Sequence, residues 1–177
     1  SAKILLETIS FHPSLTHTIS IYASSVNGGV DNFHGNDTLI YKLKSRLKGT
    51  YFIGAVGADF KTIKEAVSLL ATNGVCGPVN FKLNEGAYDE VITIPSIYGS
   101  SAINTITFES ASGDSTKVSI ISYQGSPFTI NNDHMRFHKL GFTMNALNTN
   151  SIISLNNRKN IRVTNCRFQL NTGCNAV

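Results

Sequence analysis

The stretch INNDHMRFHKLGF, residues 130–142, can be superposed on LNNRKNIRVTNCRF, residues 155–168, with one extra residue in the second copy. Apolar side chains then fall at equivalent positions 26 residues apart, namely Met135 with Ile161, Phe137 with Val163, Leu140 with Cys166 and Phe142 with Phe168. A self-match with a period of roughly 20–50 residues is typical of a solenoid, in which each turn buries its apolar face against the next. The match predicts that successive turns of this chain stack in register.

Side-chain alternation along an extended strand divides the first copy into two faces. Met135 and Phe137 are predicted to point inward, and His134, Arg136 and His138 outward, with a corner around His138 and Lys139. The two histidines therefore do not form the helical i,i+4 pair of a zinc site. The outward row could bind a sugar acid or a phosphate, but a scaffold surface without a ligand is the favoured interpretation.

One helix is predicted ahead of the repeated strands. In ADFKTIKEAVSLLATNG, the residues Phe60, Ile63, Val67 and Leu70 recur at helical spacing, and Ala66 lies on the same face. We expect a helix over residues 59–72, with Asp59 as its N-cap and Gly74 after its end. Such a helix would cap the N-terminal side of the stacked turns.

Residues 1–48 are predicted to form β-strands of a separate segment. The stretches ILLETISF, HTISIYAS and DTLIYKL supply one sheet with one apolar face, which indicates a partial sandwich domain. The loop at residues 27–37 carries oxygen ligands suited to calcium, Asp31, Asn32, Asn36 and Asp37. Its spacing does not match the EF-hand loop, so an ordinary turn is favoured.

Composition narrows the function classes. Hydrophobic residues make up 41% of the chain, which excludes general disorder, and no apolar run is long enough for membrane insertion. Nucleic-acid binding is not expected, because no aromatic residues interleave with the basic groups. The two densest basic groups are Lys42/Lys44/Arg46/Lys48 and Arg158/Lys159/Arg162/Arg167. We interpret them as solvated faces of strands, and the alternative is that they are patches that bind polyanions.

Cysteines and asparagines in the repeated strands receive structural interpretations. Cys166 is predicted to be a buried small hydrophobe, with a reactive thiol as the alternative. A disulfide to Cys174 is possible in an oxidising compartment, but spacing alone does not decide it. Four asparagines at equivalent places are interpreted as stacked turn amides: Asn131, Asn132, Asn156 and Asn157.

The motifs GTYFIG, DFKTIKEAV, GVCGPVNFKLNEGAY and NTITFES…GD carry a family resemblance over residues 49–177. This region resembles the opening of the right-handed parallel β-helix, of the pectin-lyase-like kind, in large cell-surface proteins of Bacteroidetes. HTISIYASSVNGGVDNFHGNDTLIYKL is similar to the closing strands of an immunoglobulin-like domain in those proteins. The resemblance implies a mainly β fold: a partial immunoglobulin-like segment at 1–48, then a helix-capped right-handed parallel β-helix at 49–177.

The same resemblance implies export, commonly by type IX secretion, and an adhesin-like role at the bacterial cell surface. DFKTIKEAV also resembles the opening of pectin methylesterases, whose catalytic Asp and Arg lie in GDR and QDTL motifs. Neither motif occurs here, and no Arg follows Asp114 as GDR requires. We therefore assign no catalytic, cofactor-binding or metal-binding residue and expect no cofactor.

Two function classes follow for this chain. The first is a non-catalytic structural or adhesive module that presents a solenoid surface to a protein partner or to a cell-surface glycan. The alternative is a fragment of a carbohydrate-active enzyme, a pectin esterase or polysaccharide lyase, whose catalytic turns lie elsewhere. We also expect the final turn, which has no polar cap, to be covered by further turns or by another chain.

Overall fold

A computed structural model describes residues 16–22, 38–54, 56–123, 125–145 and 151–171. The chain divides into two compact units, Ser1–Arg46 and Leu47–Val177. The predicted boundary lies after residue 48, whereas the strand that begins at Leu47 pairs with a later strand of the second unit. The two units are described separately below.

The described part of the first unit is an antiparallel strand pair. Strand β1 (Thr16–Tyr22) runs against β2 (Thr38–Lys44), with Thr16 opposite Lys44. Both strands were predicted from their alternation. ILLETISF, residues 4–11, lies outside the described residues. The loop at 27–37 also lies outside them, together with the oxygen ligands considered for calcium.

The second unit contains one helix among short strands. In chain order the elements are β3 (Leu47–Ile53), α1 (Ile63–Asn73), β4 (Val75–Leu83), β5 (Gly86–Asp89), β6 (Ile92–Ile94), β7 (Ile106–Ser110), β8 (Val118–Ser122), β9 (Phe128–Ile130), β10 (Met135–His138), β11 (Gly141–Met144), β12 (Ile153–Leu155), β13 (Arg162–Thr164) and β14 (Arg167–Leu170).

These strands form three parallel sheets in the described part of the chain. Sheet A has the order β13-β10-β7-β4-β3, sheet B the order β14-β11-β8-β5, and sheet C the order β12-β9-β6. From β4 onward, consecutive strands go to sheets A, B and C in turn, and the chain returns to each sheet beside its previous strand. The second unit is mainly β with parallel sheets, which agrees with the predicted fold class.

The predicted 26-residue register is confirmed by the strand pairing. Phe137 lies opposite Val163 in sheet A, and Phe142 lies opposite Phe168 in sheet B. Met135 and Phe137 are fully buried, whereas Ile161 is half-buried and Val163 remains 39% exposed. The difference arises because no later strand of the described chain covers β13.

The three sheets share one apolar core. Phe81, Phe108 and Phe137 of sheet A form a column with ring centroids 4.9 Å and 5.9 Å apart. Phe128 of sheet C and Phe142 of sheet B meet edge-on at 5.9 Å, and both contact Phe137. Inward side chains from all three sheets therefore interlock, because alternate residues of each strand point to the same side.

Helix α1 begins later than the sequence predicted. Its N-cap is Thr62, whose Oγ1 accepts a hydrogen bond from the Glu65 amide at 3.1 Å. The prediction of Asp59 as the cap was wrong, because Asp59 Oδ2 accepts from the Phe52 amide at 2.7 Å and so serves strand β3. The predicted end is confirmed, since the Gly74 amide donates to the Leu70 carbonyl at 2.8 Å with φ of 69°.

The apolar face of α1 packs against β3 and β6. Ile63, Ala66, Val67 and Leu70 are buried as predicted, whereas buried Phe60 precedes the helix. The carboxylate of Glu90, which follows β5, accepts from the amides of Ile63 and Lys64, each at 2.9 Å. This carboxylate satisfies free amides and complements the positive end of the helix dipole.

A candidate ligand-binding groove

The outward side chains of sheet A form two rows in register. Strand pairing aligns the members of the first row, Thr50, Asn80, Thr107, Arg136 and Arg162. It likewise aligns the members of the second row, Phe52, Lys82, Glu109, His138 and Thr164. The strand alternation that buries the phenylalanine column produces this polar outer face.

An open groove with a volume of about 520 Å³ runs along these rows. The whole first row lines it, together with Glu109, His138 and Thr164 of the second row. Its lining in the described chain therefore carries hydroxyl, amide and cationic groups. These groups can hydrogen-bond a polar ligand through several side chains at once.

Glu109, the carboxylate that lines the groove, is already engaged. Its Oε1 accepts from Asn80 Nδ2 at 2.7 Å and lies 3.6 Å from Lys82 Nζ. Asn80 Oδ1 is buried and has no hydrogen-bond partner among the described residues. Buried polar atoms normally have a hydrogen-bond partner, so this oxygen is an exception within the described part of the chain.

Arg136 and Arg162 lie directly opposite each other on adjacent parallel strands. Neighbouring strands are about 4.8 Å apart, so the two side chains start close together. Both are exposed, and within the described ranges neither guanidinium has an ion pair or a hydrogen bond. Both also line a second cavity of about 270 Å³. Together they place two unneutralised cations in one stretch of the outer face.

The histidines flank this arginine pair. His138 Nδ1 lies 2.8 Å from Thr164 Oγ1 and lines the groove, while His134 lines the smaller cavity beside Arg136. The predicted outward row of His134, Arg136 and His138 is therefore found on the outer surface. The predicted corner is also present, because Lys139 has φ of 53° and β11 begins at Gly141.

Asn131, Asn132 and Asn156, interpreted from the sequence as turn amides, hydrogen-bond between turns, and Asp133 does the same. Asn156 Nδ2 donates to Asn131 Oδ1 at 2.5 Å, which links equivalent positions of successive turns. Asn132 is buried and its Oδ1 accepts from the Ile97 amide at 2.8 Å. Asp133 Oδ1 accepts from the Lys159 amide at 2.9 Å. Asn157 has φ of 54°, a left-handed backbone conformation that asparagine tolerates.

Cys76 and Cys166, the two cysteines that the structure describes, are not bridged to each other. Cys76 is exposed, whereas Cys166 is partly buried and packs against the core. Burial raises the pKa of the Cys166 thiol, which disfavours the reactive thiolate and supports the structural interpretation. Cys174 lies outside the described residues, and the alternative of a Cys166–Cys174 bridge lies there too.

The residues of the two basic groups lie on several different elements. Lys42 and Lys44 belong to β2 of the first unit, whereas Lys48 belongs to β3 of the second. In the other group only Arg162 lines the groove. Within the described ranges, no cluster of three or more His, Cys, Asp or Glu residues could hold a metal ion.

Comparison of the chain with protein-family models, with curated proteins and with solved structures finds no match. Among the described residues, no helix combines the length and apolar character needed to cross a membrane.

Proposed function

We propose that the second unit is a right-handed parallel β-helix capped by α1, and that the first unit is the closing part of an immunoglobulin-like domain. In this proposal the chain is a non-catalytic structural or adhesive module of a large secreted bacterial cell-surface protein. Its groove on sheet A presents a binding surface to a glycan or to a protein partner.

The groove lining is the observation that carries this proposal. It combines hydroxyl and amide side chains with free arginines, which suits the recognition of a polar, extended ligand. Most glycoside hydrolases act through a pair of Asp or Glu carboxyl groups, whereas Glu109 is the one carboxylate among the described residues that line this groove. Glu109 is also hydrogen-bonded to Asn80 and lies beside Lys82, which favours binding over catalysis.

Parallel stacking supports the β-helix part of the proposal. Each described sheet grows by one strand per turn, and the inward phenylalanines stay in register from turn to turn. The last described turn leaves Phe168 and Leu170 about half exposed on β14, the edge strand of sheet B among the described residues. Further turns of the same protein, or another chain, would cover them.

The test is a binding screen run beside activity assays. The labelled chain is applied to a glycan array and to whole cells, and in parallel is incubated with pectin and polygalacturonate to detect cleavage or ester release. We expect binding without turnover. Turnover would instead favour the carbohydrate-active enzyme.

A matched pair of substitutions assigns binding to the groove. Thr107→Tyr fills the groove, whereas Thr129→Tyr adds the same bulk to the outer face of sheet C. Both threonines are partly exposed, so both variants should fold. We expect loss of binding only with Thr107→Tyr; equal loss in both variants, or none in either, would contradict the assignment.

A further inference from the structure

We propose that Arg136 and Arg162 form an anion site that holds a carboxylate or sulfate group of an acidic glycan. The proposal rests on the proposed glycan-binding role of the groove and specifies the ligand class.

The arginine pair is unfavourable without an anion. Strand register places the two residues directly opposite each other, and like charges in this position destabilise a sheet. Within the described chain no carboxylate contacts either guanidinium, while Glu109 is held by Asn80 and lies beside Lys82. The chain therefore does not neutralise this pair itself, and an external oxyanion would.

Guanidinium geometry sets the chemistry of the bound group. Each arginine presents a planar fork of N–H donors that matches two oxygens of a carboxylate or a sulfate. Two forks on adjacent strands, about 4.8 Å apart, can hold one oxyanion between them or two oxyanions in succession. A neutral sugar has no group that would relieve the repulsion.

The rest of the groove favours a glycan over a nucleic acid. Thr50, Thr107 and Thr164 offer hydroxyl groups to the groove. These groups suit the hydroxyls of a sugar. Single-stranded nucleic acids are held largely by stacking on aromatic rings, and no Phe, Tyr or Trp is among the residues that line the groove.

The experiment measures the affinity of the full chain for four defined probes: an oligogalacturonate, dextran sulfate, neutral dextran and single-stranded DNA. We expect the two acidic glycans to bind more tightly than dextran and DNA, and their binding to weaken as salt is raised. The stronger of the two acidic probes identifies the oxyanion as carboxylate or sulfate.

Substitutions then locate the site. Arg136→Gln and Arg162→Gln should each weaken acidic-glycan binding about ten-fold or more, the effect expected for one charge-assisted contact. Arg158→Gln is the matched control, because it removes the same charge from an exposed arginine that does not line the groove. Its affinity should stay close to that of the unmodified chain. Arg136→Lys should bind with intermediate affinity, since charge is kept but the fork is lost.

Each contrary outcome has a distinct meaning. Unchanged acidic-glycan affinity in both Gln variants, or an equal loss in Arg158→Gln, would overturn the anion site. Tighter binding of DNA than of either acidic glycan would overturn the ligand class. The chain could instead bind neutral glycans, with binding abolished by Thr107→Tyr and preserved in the arginine variants. That result would overturn this inference but would support the proposed function. Absence of binding to every glycan and cell would sink both.

Discussion

Replacing Phe108 by alanine tests the stacked core most severely. Phe108 is fully buried in the middle of its column, with ring centroids 4.9 Å from Phe81, 5.9 Å from Phe137 and 6.0 Å from Phe128. Truncating a buried phenylalanine costs about 3–5 kcal/mol, because transfer energy is lost and a cavity remains. We expect Phe108→Ala to fall in the upper part of this range, since neighbours on three sides limit collapse of the cavity.

Phe168→Ala is the matched comparison. Phe168 stacks on Phe142 at 5.3 Å but is 49% exposed, so its ring leaves no enclosed cavity when removed. Phe168→Ala therefore loses about half of the transfer free energy of a fully buried phenylalanine and one aromatic contact. Together these losses amount to about 1–2 kcal/mol. The two alanine variants should therefore differ by about 2–4 kcal/mol in the free energy of unfolding.

Urea unfolding followed by circular dichroism measures the difference, provided that the slope with urea is unchanged. Domains are commonly stable by only about 5–15 kcal/mol, so Phe108→Ala could be partly unfolded. Phe108→Leu, with a smaller volume change, then supplies the comparison. Equal destabilisation at positions 108 and 168 would refute the reasoning, because it would mean that Phe108 is no more enclosed than Phe168.

Three further predictions concern the helix cap and Tyr88. Thr62→Ala should lower the free energy of unfolding by about 1 kcal/mol through loss of the N-cap, whereas Asp59→Asn should leave the helical circular dichroism signal unchanged. Glu90→Gln should cost about 1–2 kcal/mol in urea unfolding, because a neutral amide cannot replace the carboxylate that accepts two helix amides. Burial raises the pKa of Tyr88 to about 12 from an ordinary value of 10.0, so its contribution to stability is complete below pH 10 and is lost as pH rises towards 12. The difference in urea midpoint between the unmodified chain and Tyr88→Phe should shrink over that pH window, and a constant difference would contradict the assignment.

The inward side of the stack could be predicted because its residues repeat. Phe137 and Val163, like Phe142 and Phe168, are apolar at equal spacing, since each must bury its side chain against the turn before it. The end of α1 could also be predicted from the sequence. Gly74 adopts a positive φ there, and glycine adopts such a φ more readily than other residues.

The helix start could not be chosen from sequence alone. Asp59 and Thr62 are both good capping residues, and only the tertiary hydrogen bond from Phe52 to Asp59 removes one of them from the choice. Glu90 was missed for a similar reason, because it lies far along the chain from the amides of Ile63 and Lys64.

The groove was only partly visible in the sequence. His134, Arg136 and His138 are close together in the chain and were predicted to share a surface. Their alignment with Arg162 followed from the repeat, but Asn80 joins the row through turns of unequal length that contain no matching motif. Outward positions face no packing requirement, so their residue types need not repeat.

Disulfide trapping across β10 and β13 tests the central claim most directly. In a chain with Cys76, Cys166 and Cys174 changed to serine, the pair His138→Cys/Thr164→Cys places two thiols at directly opposed positions. The pair His138→Cys/Arg162→Cys is offset by two residues in the parallel register and would be opposed in an antiparallel one. We predict that mild oxidation cross-links the first pair rapidly and the second poorly, because a disulfide needs Cα atoms within about 7 Å. Preferential cross-linking of the second pair would contradict the parallel, in-register stack.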